Sequence, residues 1–239
     1  MRGDRWAIVV AAGASSRMGG AVPKQFRLLG GMPLYRWSMR ALHAWGGVTL
    51  VVPEDSVTMV RSECAELARI RVVAGGPLRR DSVARGLAAV PEEAATVLVH
   101  DAARPFLAAS LIRRVADACE ETGMALPVLP VADTVKRQEG HYAAGTVDRR
   151  GLMVAQTPQA CRREVLAAIV AALPDRELTD EAQGAELLGI RPRLVPGSPF
   201  AFKLTTEGDF VLAEALAQWV VHTGSDHADW MWVRHTPAD

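Results

Sequence analysis

A short apolar strand followed at once by a loop of small residues constrains this chain more than any other feature. Residues 6–10 are WAIVV, and residues 11–20 continue as AAGASSRMGG. An apolar run of this length that ends in a turn signal is typical of a strand buried on both faces of a parallel sheet. Small residues after such a strand leave backbone N–H groups uncovered, and these can cradle a phosphate chain. The pattern therefore predicts either a nucleotide or phosphate site or only a tight turn.

Two cations, Arg17 and Lys24, belong to the same loop region. Cations beside a phosphate chain neutralise its charge, and they contribute most where negative charge builds up in a phosphoryl-transfer transition state. The loop lacks the Gly-Lys-Ser/Thr ending of a Walker A motif, and it does not read Gly-x-Gly-x-x-Gly. An ordinary P-loop ATPase and a Rossmann dehydrogenase are therefore disfavoured.

Composition narrows the class of partner. The 239 residues suit one large α/β domain, and Lys+Arg and Asp+Glu both number 27, so the formal net charge is zero. Such a balance predicts no nucleic-acid partner and no anionic membrane surface. The three cysteines are far apart without a Cys-x-x-Cys, which disfavours a disulfide framework or a zinc site and favours a reducing cytoplasm. We read no signal peptide and no membrane span.

Helices and strands alternate along the first half of the chain. Strands are predicted at 6–10, 48–52, 71–74, 96–100 and 124–129, and helices at 34–45, 56–68, 80–90 and 110–122, the last capped by Ser110. Strands separated by helices imply βαβ units, so the predicted fold is α/β, with a Rossmann-like, doubly wound, mostly parallel sheet flanked by helices. Residues 11–24, 75–82 and 101–104 all follow strands, where such sheets bind ligands. Their convergence favours a nucleotide-type site over a mere turn.

The second half departs from this alternation of helices and strands. It contains a predicted β-hairpin arm, at about 131–155, that protrudes from the sheet. The arm has few large apolar residues, so we expect it to pack on a partner, with a flexible surface loop as the alternative. Beyond it we predict a helix over 161–173, a helix start capped by Thr179 or Asp180, strands at 193–195 and 200–204, and a last helix from Thr206. Residues 1–223 form a single predicted domain, and 224–239 read as a polar tail without an assigned function.

Two residues next to apolar segments carry the predicted chemistry. Asp101 ends an apolar strand, so its carboxylate is either a Mg²⁺ ligand beside phosphates or a cap for the next turn. The predicted phosphate-binding loop after the first strand favours the role of metal ligand. Lys203 is flanked by apolar residues, where an unpaired ammonium is costly, so it pairs with a carboxylate or meets an anion. His100 lies inside the apolar strand and is interpreted as a core residue. Without a protein nucleophile, the nucleophile belongs to the substrate, and the protein positions it and stabilises charge.

Further polar residues are candidate ligands for a phosphorylated substrate. Arg104 and Arg149 can each bind a phosphate through two N–H groups. Thr134, Thr157 and Thr179 can offer hydroxyls to a polyol, although each threonine alone is as well explained as a helix cap or a strand residue.

Taken together, these segments resemble the 2-C-methyl-D-erythritol 4-phosphate cytidylyltransferase family. The resemblance covers roughly residues 5–222 in the family's order. The matching segments are 11–25, 75–87, 97–105, 133–136, 156–159, 179–182 and Lys203. Any one of them is shared with related sugar nucleotidyltransferases, whereas the set is quite specific.

The resemblance implies a residue-by-residue assignment of the site. CTP would lie along the first loop, with Arg17 and Lys24 stabilising the transition state and Asp101 holding Mg²⁺. The implied nucleotide-binding residues are Ala11, Ala12, Gly13, Ala14, Lys24, Gly76, Ser82, Asp101 and Ala102. The implied sugar-phosphate ligands are Arg104, Thr134, Arg149, Thr157, Thr179 and Lys203, with Arg149 and Lys203 aiming the phosphate for attack.

The resemblance also implies a homodimer whose arm crosses to the neighbour, so that some of these residues serve the neighbour's site. One departure is Pro77, where some relatives have an acidic residue, and it leaves the base contacts open. The expected partners are CTP and a polyol phosphate, without nucleic acid or membrane. Two alternatives stay open: a ribitol 5-phosphate cytidylyltransferase and a nucleotide-binding module without turnover.

Overall fold

The computed structural model describes residues 5–13, 22–172 and 177–223, in which strands and helices alternate. The strands are β1 (Arg5–Val10), β2 (Leu28–Leu29), β3 (Met32–Pro33), β4 (Gly47–Val52), β5 (Ile70–Ala74), β6 (Thr96–Asp101), β7 (Met124–Pro130), β8 (Val135–Glu139), β9 (Tyr142–Val147), β10 (Met153–Ala155), β11 (Gln159–Arg162) and β12 (Arg193–Pro196). The helices are α1 (Leu34–Trp45), α2 (Val57–Glu63), α3 (Arg79–Ala88), α4 (Ala109–Thr122), α5 (Arg163–Ala172), α6 (Glu181–Leu187) and α7 (Glu207–Thr223). Single 3-10 turns occupy Lys24–Phe26, Glu54–Ser56 and Pro199–Ala201.

One mostly parallel sheet organises the fold, as the sequence predicts. Its order is β10-β7-β11-β6-β1-β4-β5, and β12 pairs with β7. Strands β6, β1, β4 and β5 run parallel, and the register places Val10 beside both Val51 and Asp101. The carboxyl ends of these strands therefore form one rim of the sheet.

Helices cover both faces of the sheet, because successive side chains of the buried strands point in opposite directions. In β1, Ala7 and Val9 belong to the core beneath α1, α2 and α4, whereas Trp6 and Ile8 belong to the core beneath α3, α5 and α6. A strand buried on both faces reads as a continuous apolar run, which is the pattern of residues 6–10. This arrangement confirms the predicted doubly wound α/β fold.

A third, smaller core packs the segment that leads into the last helix, and that helix itself, against residues of the first half of the chain. Leu204 and Phe210 pack with Leu29, Leu34 and Phe106. As predicted, Thr206 caps the last helix: its hydroxyl oxygen accepts the N–H of Asp209 at 3.2 Å. This core fixes the 198–206 segment, and with it Lys203, against the rim of the sheet.

Four local predictions differ from the structure. Residues 159–162 form β11, an antiparallel strand between β6 and β7, where the start of a helix was expected at 161. Residues 200–204 are not a strand, because the Ser198 hydroxyl accepts the N–H groups of Phe200 and Ala201 and thereby closes a 3-10 turn. Ser110 is the second residue of α4 rather than its cap, which is Ala108. The helix expected over 56–68 is also shorter, since α2 ends at Glu63.

The protruding arm is a β-hairpin, as predicted. Strands β8 and β9 pair antiparallel with each other and not with the main sheet. Their side chains are nearly all exposed, and Tyr142 keeps 83% of its surface accessible. The last predicted arm residues form β10, which returns to the main sheet beside β7. In the part of the chain that the structure describes, no helix is both long and apolar enough to cross a lipid bilayer.

Candidate active site

The predicted site residues gather where the order of strands reverses. Chain order takes β4 and β5 to one side of β1 and β6 to the other, which leaves a crevice beyond the carboxyl ends of β1 and β6. In open α/β sheets, ligands bind in such a crevice. Ala11 and Ala102 close its two sides: the Ala11 N–H donates to Val51 at 2.7 Å and the Ala102 N–H to Val10 at 3.0 Å.

The loop before α3 packs directly against the loop after β1. A side chain at Gly75 would bring its Cβ to 2.2 Å from the Cβ of Ala12 and 2.9 Å from the hydroxyl of Ser82, so only glycine fits there. The Ser82 hydroxyl accepts the N–H of Gly76 at 3.1 Å. Gly76 and Ser82 therefore lie beside the 11–13 backbone, as a shared nucleotide site requires.

A cluster of four charges lies at the end of β6. One oxygen of Asp101, Oδ2, accepts a hydrogen bond from the Lys203 ammonium at 2.7 Å, and its other oxygen lies 3.3 Å from Arg79. Arg79 in turn donates to both oxygens of the buried Glu181, at 2.7 and 3.0 Å. The side chain of Asp101 is only 11% exposed.

The electrostatics of this cluster keep it charged. Burial alone would raise the pKa of Asp101, but the charges of Arg79 and Lys203 outweigh it and hold that pKa well below its ordinary value. Burial likewise opposes the charge of Arg79, yet Glu181 and Asp101 raise its pKa above the ordinary value. Asp101 is therefore a carboxylate at any physiological pH.

Lys24 links the first loop to this cluster. Its ammonium donates to the carbonyl of Leu204 at 2.8 Å, and the Leu204 N–H donates to Ala103 at 2.9 Å. Lys24 and Lys203 thus reach the same rim although they lie near opposite ends of the sequence. The structure brings the first loop, the end of β6 and the 203–204 segment together.

Arg104 is a half-buried cation held by carbonyl groups. It donates to Ala201 at 2.8 Å and to Ala155 at 3.5 Å, while its Nε is buried without a hydrogen bond. No carboxylate of the described residues forms an ion pair with it, and burial lowers its pKa. A guanidinium in this state is suited to receive an anion.

Thr157 uses its hydroxyl within the protein. Its oxygen accepts the Asp101 N–H at 3.1 Å and lies 2.9 Å from Nδ1 of His100, whose Nε2 donates to the Arg104 carbonyl at 3.0 Å. A neutral imidazole with its proton on Nε2 satisfies all three contacts, because Nδ1 then accepts from the Thr157 hydroxyl. His100 is fully buried and belongs to the core, as predicted.

Burial lowers the pKa of His100 to about 4 from an ordinary 6.5. Between these pH values the unfolded chain binds a proton that the folded chain does not, so we expect the free energy of unfolding to fall as the pH falls from 6.5 to 4. The slope is at most about 1.4 kcal/mol per pH unit, or about 3 kcal/mol over the interval. Urea unfolding at several pH values measures it. His100→Gln is the control, because it should flatten the slope, and an equal slope in both proteins would contradict this origin.

Two buried glutamines that the sequence analysis did not single out position the surrounding segments. The amide of Gln156 both donates to the Ser198 carbonyl at 2.7 Å and accepts the Ser198 N–H at 2.8 Å. The amide of Gln159 donates to the carboxylate of Asp180 at 2.9 Å and accepts the Ala182 N–H at 2.9 Å. These contacts hold the segment of Lys203 and the start of α6 against the sheet.

Three predicted ligands stay outside the charge cluster in a single chain. Thr134 and Arg149 are exposed at the base of the arm, where Arg149 donates to the carbonyl of Ala132. Thr179 lies just before α6 and is exposed, and its hydroxyl donates to the side-chain oxygen of Gln183 within that helix. The predicted Ala14 and Arg17, and the tail at 224–239, lie outside the described residues.

Comparisons with known proteins agree on one family. The family model described as 2-C-methyl-D-erythritol 4-phosphate cytidylyltransferase, IspD, matches residues 6–218. The chain is 44% identical over 214 residues to a bifunctional enzyme IspD/IspF of Caulobacter vibrioides, a match that covers 88% of this chain and 56% of that protein. It is 40% identical over 220 residues to the 2-C-methyl-D-erythritol 4-phosphate cytidylyltransferase of Syntrophus aciditrophicus, covering 87% of this chain and 94% of that one.

A solved structure agrees with these relatives. The crystal structure of 2-C-methyl-D-erythritol 4-phosphate cytidylyltransferase from Thermus thermophilus superimposes with a TM-score of 0.76 at 35% identity, covering 89% of this chain and 98% of that chain. The chain spans only 55–60% of the length of the bifunctional relatives named IspD/IspF, but 80% and 94% of two relatives named as the cytidylyltransferase alone.

Proposed function

The chain belongs to the 2-C-methyl-D-erythritol 4-phosphate cytidylyltransferase family, and from this premise we propose that it transfers the cytidylyl group of CTP to 2-C-methyl-D-erythritol 4-phosphate. The products are 4-diphosphocytidyl-2-C-methyl-D-erythritol and pyrophosphate. The observation that carries the proposal is the meeting of Lys24, Asp101 and Lys203 at one rim of the sheet. A carboxylate among cations, beside a loop of small residues that follows a buried strand, suits the transfer of a nucleotidyl group.

The nucleotide is proposed to lie along the first loop. Its phosphates would bind to the backbone of residues 11–13 and to the ammonium of Lys24, with Arg17 as the second cation. Its base would lie near Gly76 and Ser82. An oxygen of the acceptor's phosphate attacks the α-phosphorus, and the bond from that phosphorus to the oxygen bridging to the β-phosphorus breaks. The electron pair leaves with pyrophosphate, and Lys24 neutralises charge that develops on the transferring group.

The acceptor is proposed to enter beside the charge cluster. Lys203 and Arg104 are the cations available to its phosphate on this side, since Arg104 has no carboxylate partner among the described residues and Lys203 is 40% exposed. Thr179 would have to give up its hydrogen bond to Gln183 to reach the acceptor, whereas Thr157 would act through the end of β6, which its hydroxyl holds. Arg149 and Thr134 would come from the arm of a neighbouring subunit.

A Mg²⁺ ion is proposed to bind at Asp101. No cluster of three metal-binding side chains occurs within residues 5–13, 22–172 and 177–223, and the proposal assigns this ion the single carboxylate of Asp101. That donor fits, because Mg²⁺ is usually held by one or two carboxylates together with substrate phosphates. When bound, the ion would supply neutralisation of phosphate charge. Asp101 would hold it, and Lys203 would leave Asp101 for the acceptor.

The arm is proposed to form a homodimer. A two-stranded hairpin without a core of its own is at best marginally stable, and Tyr142, Met153 and Val154 expose apolar surface along this side of the molecule. We expect the protein to sediment at about twice its 25.7 kDa. Replacing residues 137–145 by an Asn-Gly turn should give a monomer, and a wild-type monomer at working concentration would contradict the proposal.

The cell compartment is proposed to be the cytoplasm. All three cysteines are free and buried, and burial raises the pKa of the Cys64, Cys119 and Cys161 thiols. Unpaired thiols are usual in a reducing compartment.

A pyrophosphate-release assay tests the function against its alternatives. Four nucleoside triphosphates would each be paired with 2-C-methyl-D-erythritol 4-phosphate and with ribitol 5-phosphate in the presence of Mg²⁺. We expect the highest kcat/KM for CTP with methylerythritol phosphate. A preference for ribitol phosphate would identify the related cytidylyltransferase, and binding of CTP without release from any pair would identify a module without turnover.

A further inference from the structure

Arg79 connects three segments that lie apart in the sequence. It is the first residue of α3, and it contacts Asp101 at the end of β6 and Glu181 in the first turn of α6. Its side chain is 23% exposed and that of Glu181 only 5%. A carboxylate as buried as Glu181 needs a cation, because breaking such a pair leaves an uncompensated charge.

The two contacts of Arg79 differ in quality. The guanidinium meets Glu181 through two nitrogens on two oxygens, at 2.7 and 3.0 Å, which is the strong bidentate arrangement. It reaches only one oxygen of Asp101, with Nε and Nη2 both at 3.3 Å, beyond the usual length of an N–H···O bond. Glu181 therefore has the stronger hydrogen bonds to Arg79, and the hydrogen bonds from Arg79 to Asp101 are weak.

This asymmetry matters for the carboxylate that the proposed reaction needs. Without Glu181, the same guanidinium would be free to turn both of its donors onto Asp101. A bidentate arginine on Asp101 would compete with any divalent cation for that carboxylate, whereas the weak contact seen here competes less.

We propose that Glu181 is a positioning residue whose pairing with Arg79 holds that guanidinium back from Asp101 and keeps the Asp101 carboxylate accessible to a Mg²⁺-nucleotide. This inference rests on the proposed function. It assigns to Glu181 a role in metal affinity although Glu181 itself does not reach the carboxylate that would bind the metal.

The test measures nucleotide binding without turnover. Isothermal calorimetry of CTP in the absence of acceptor, at a series of Mg²⁺ concentrations, gives the Mg²⁺ concentration for half-maximal binding. The proteins are wild type, Glu181→Gln, Glu181→Asp and the double variant Arg79→Gln/Glu181→Gln, in which no charge is left unpaired between the two positions. Thermal melts of each variant report stability separately.

In Glu181→Gln we expect the required Mg²⁺ concentration to rise about tenfold, the lower end of what loss of a residue behind a metal ligand causes. In the double variant, which lacks the competing guanidinium, we expect it to return to within about threefold of wild type. If Glu181→Gln does not fold, Glu181→Asp carries the test, because its shorter side chain should weaken the hold on Arg79 and also raise the Mg²⁺ requirement.

Three results would overturn the inference. A lower melting temperature with an unchanged Mg²⁺ requirement in Glu181→Gln, or in Glu181→Asp if it alone folds, would make the pair only a structural link between α3 and α6. An equally raised requirement in Glu181→Gln and the double variant would show that Arg79 is not the competitor. If wild type itself fails to bind CTP with Mg²⁺, the proposed function fails, and the inference that rests on it falls with it.

Discussion

Replacing Lys24 by alanine is expected to lower kcat by about a hundredfold or more, the usual cost of losing one electrostatic stabiliser of a transition state. Lys24 donates to the carbonyl of Leu204, the residue after Lys203. In the proposed reaction its ammonium faces the phosphates of CTP while charge develops on them. Since a transition-state interaction affects the chemical step, kcat should fall more than the affinity for CTP.

Steady-state pyrophosphate release measures this effect, and Arg40→Ala is the matched control. Arg40 is an exposed cation on α1, so its loss removes one positive charge away from the crevice. The control should retain the wild-type kcat, and both variants should melt close to wild type. A near-normal kcat in Lys24→Ala would remove Lys24 from the mechanism.

Replacing Lys203 by alanine is expected to lower kcat/KM for the polyol phosphate by about a hundredfold or more. Its ammonium donates to Asp101 in the structure, and in the proposed reaction it turns to the acceptor's phosphate. The loss should fall on the acceptor, whereas binding of CTP with Mg²⁺ should persist, because Asp101 is then free of one competing cation.

Varying each substrate in turn separates these effects, and Lys203→Arg supplies the comparison. Arginine keeps the charge but not the compact point charge of an ammonium, so we expect an activity between those of wild type and Lys203→Ala. If Lys203→Ala impairs CTP binding while the KM for the acceptor and kcat stay normal, Lys203 belongs to the nucleotide side, and the assignment is wrong.

Local patterns in the sequence predict which segments meet at the candidate site. The apolar run before Ala11 and the apolar run before Asp101 each predict a buried strand, and parallel strands bring their carboxyl ends to one rim. Lys203 was found because an ammonium between apolar neighbours needs a partner. The structure supplies that partner as Asp101, a residue 102 positions away.

Long-range pairings are what the sequence could not reveal. Arg79 and Glu181 are 102 residues apart, and nothing local distinguishes either from other charged residues at the start of a helix. The same holds for the amide of Gln156, whose partner Ser198 is 42 residues away. Strand β11 was missed because its four residues are too few for alternation to show.

One crevice at the ends of β1 and β6 is proposed to take both the triphosphate and the acceptor. A crystal structure of the protein with CTP and Mg²⁺ would show whether it does. We expect the triphosphate on the backbone of 11–13, within contact of Lys24 and with the metal on Asp101, and the Lys203 ammonium turned from Asp101 toward the acceptor's place. A nucleotide bound away from this crevice, with Lys203 still on Asp101, would contradict the account.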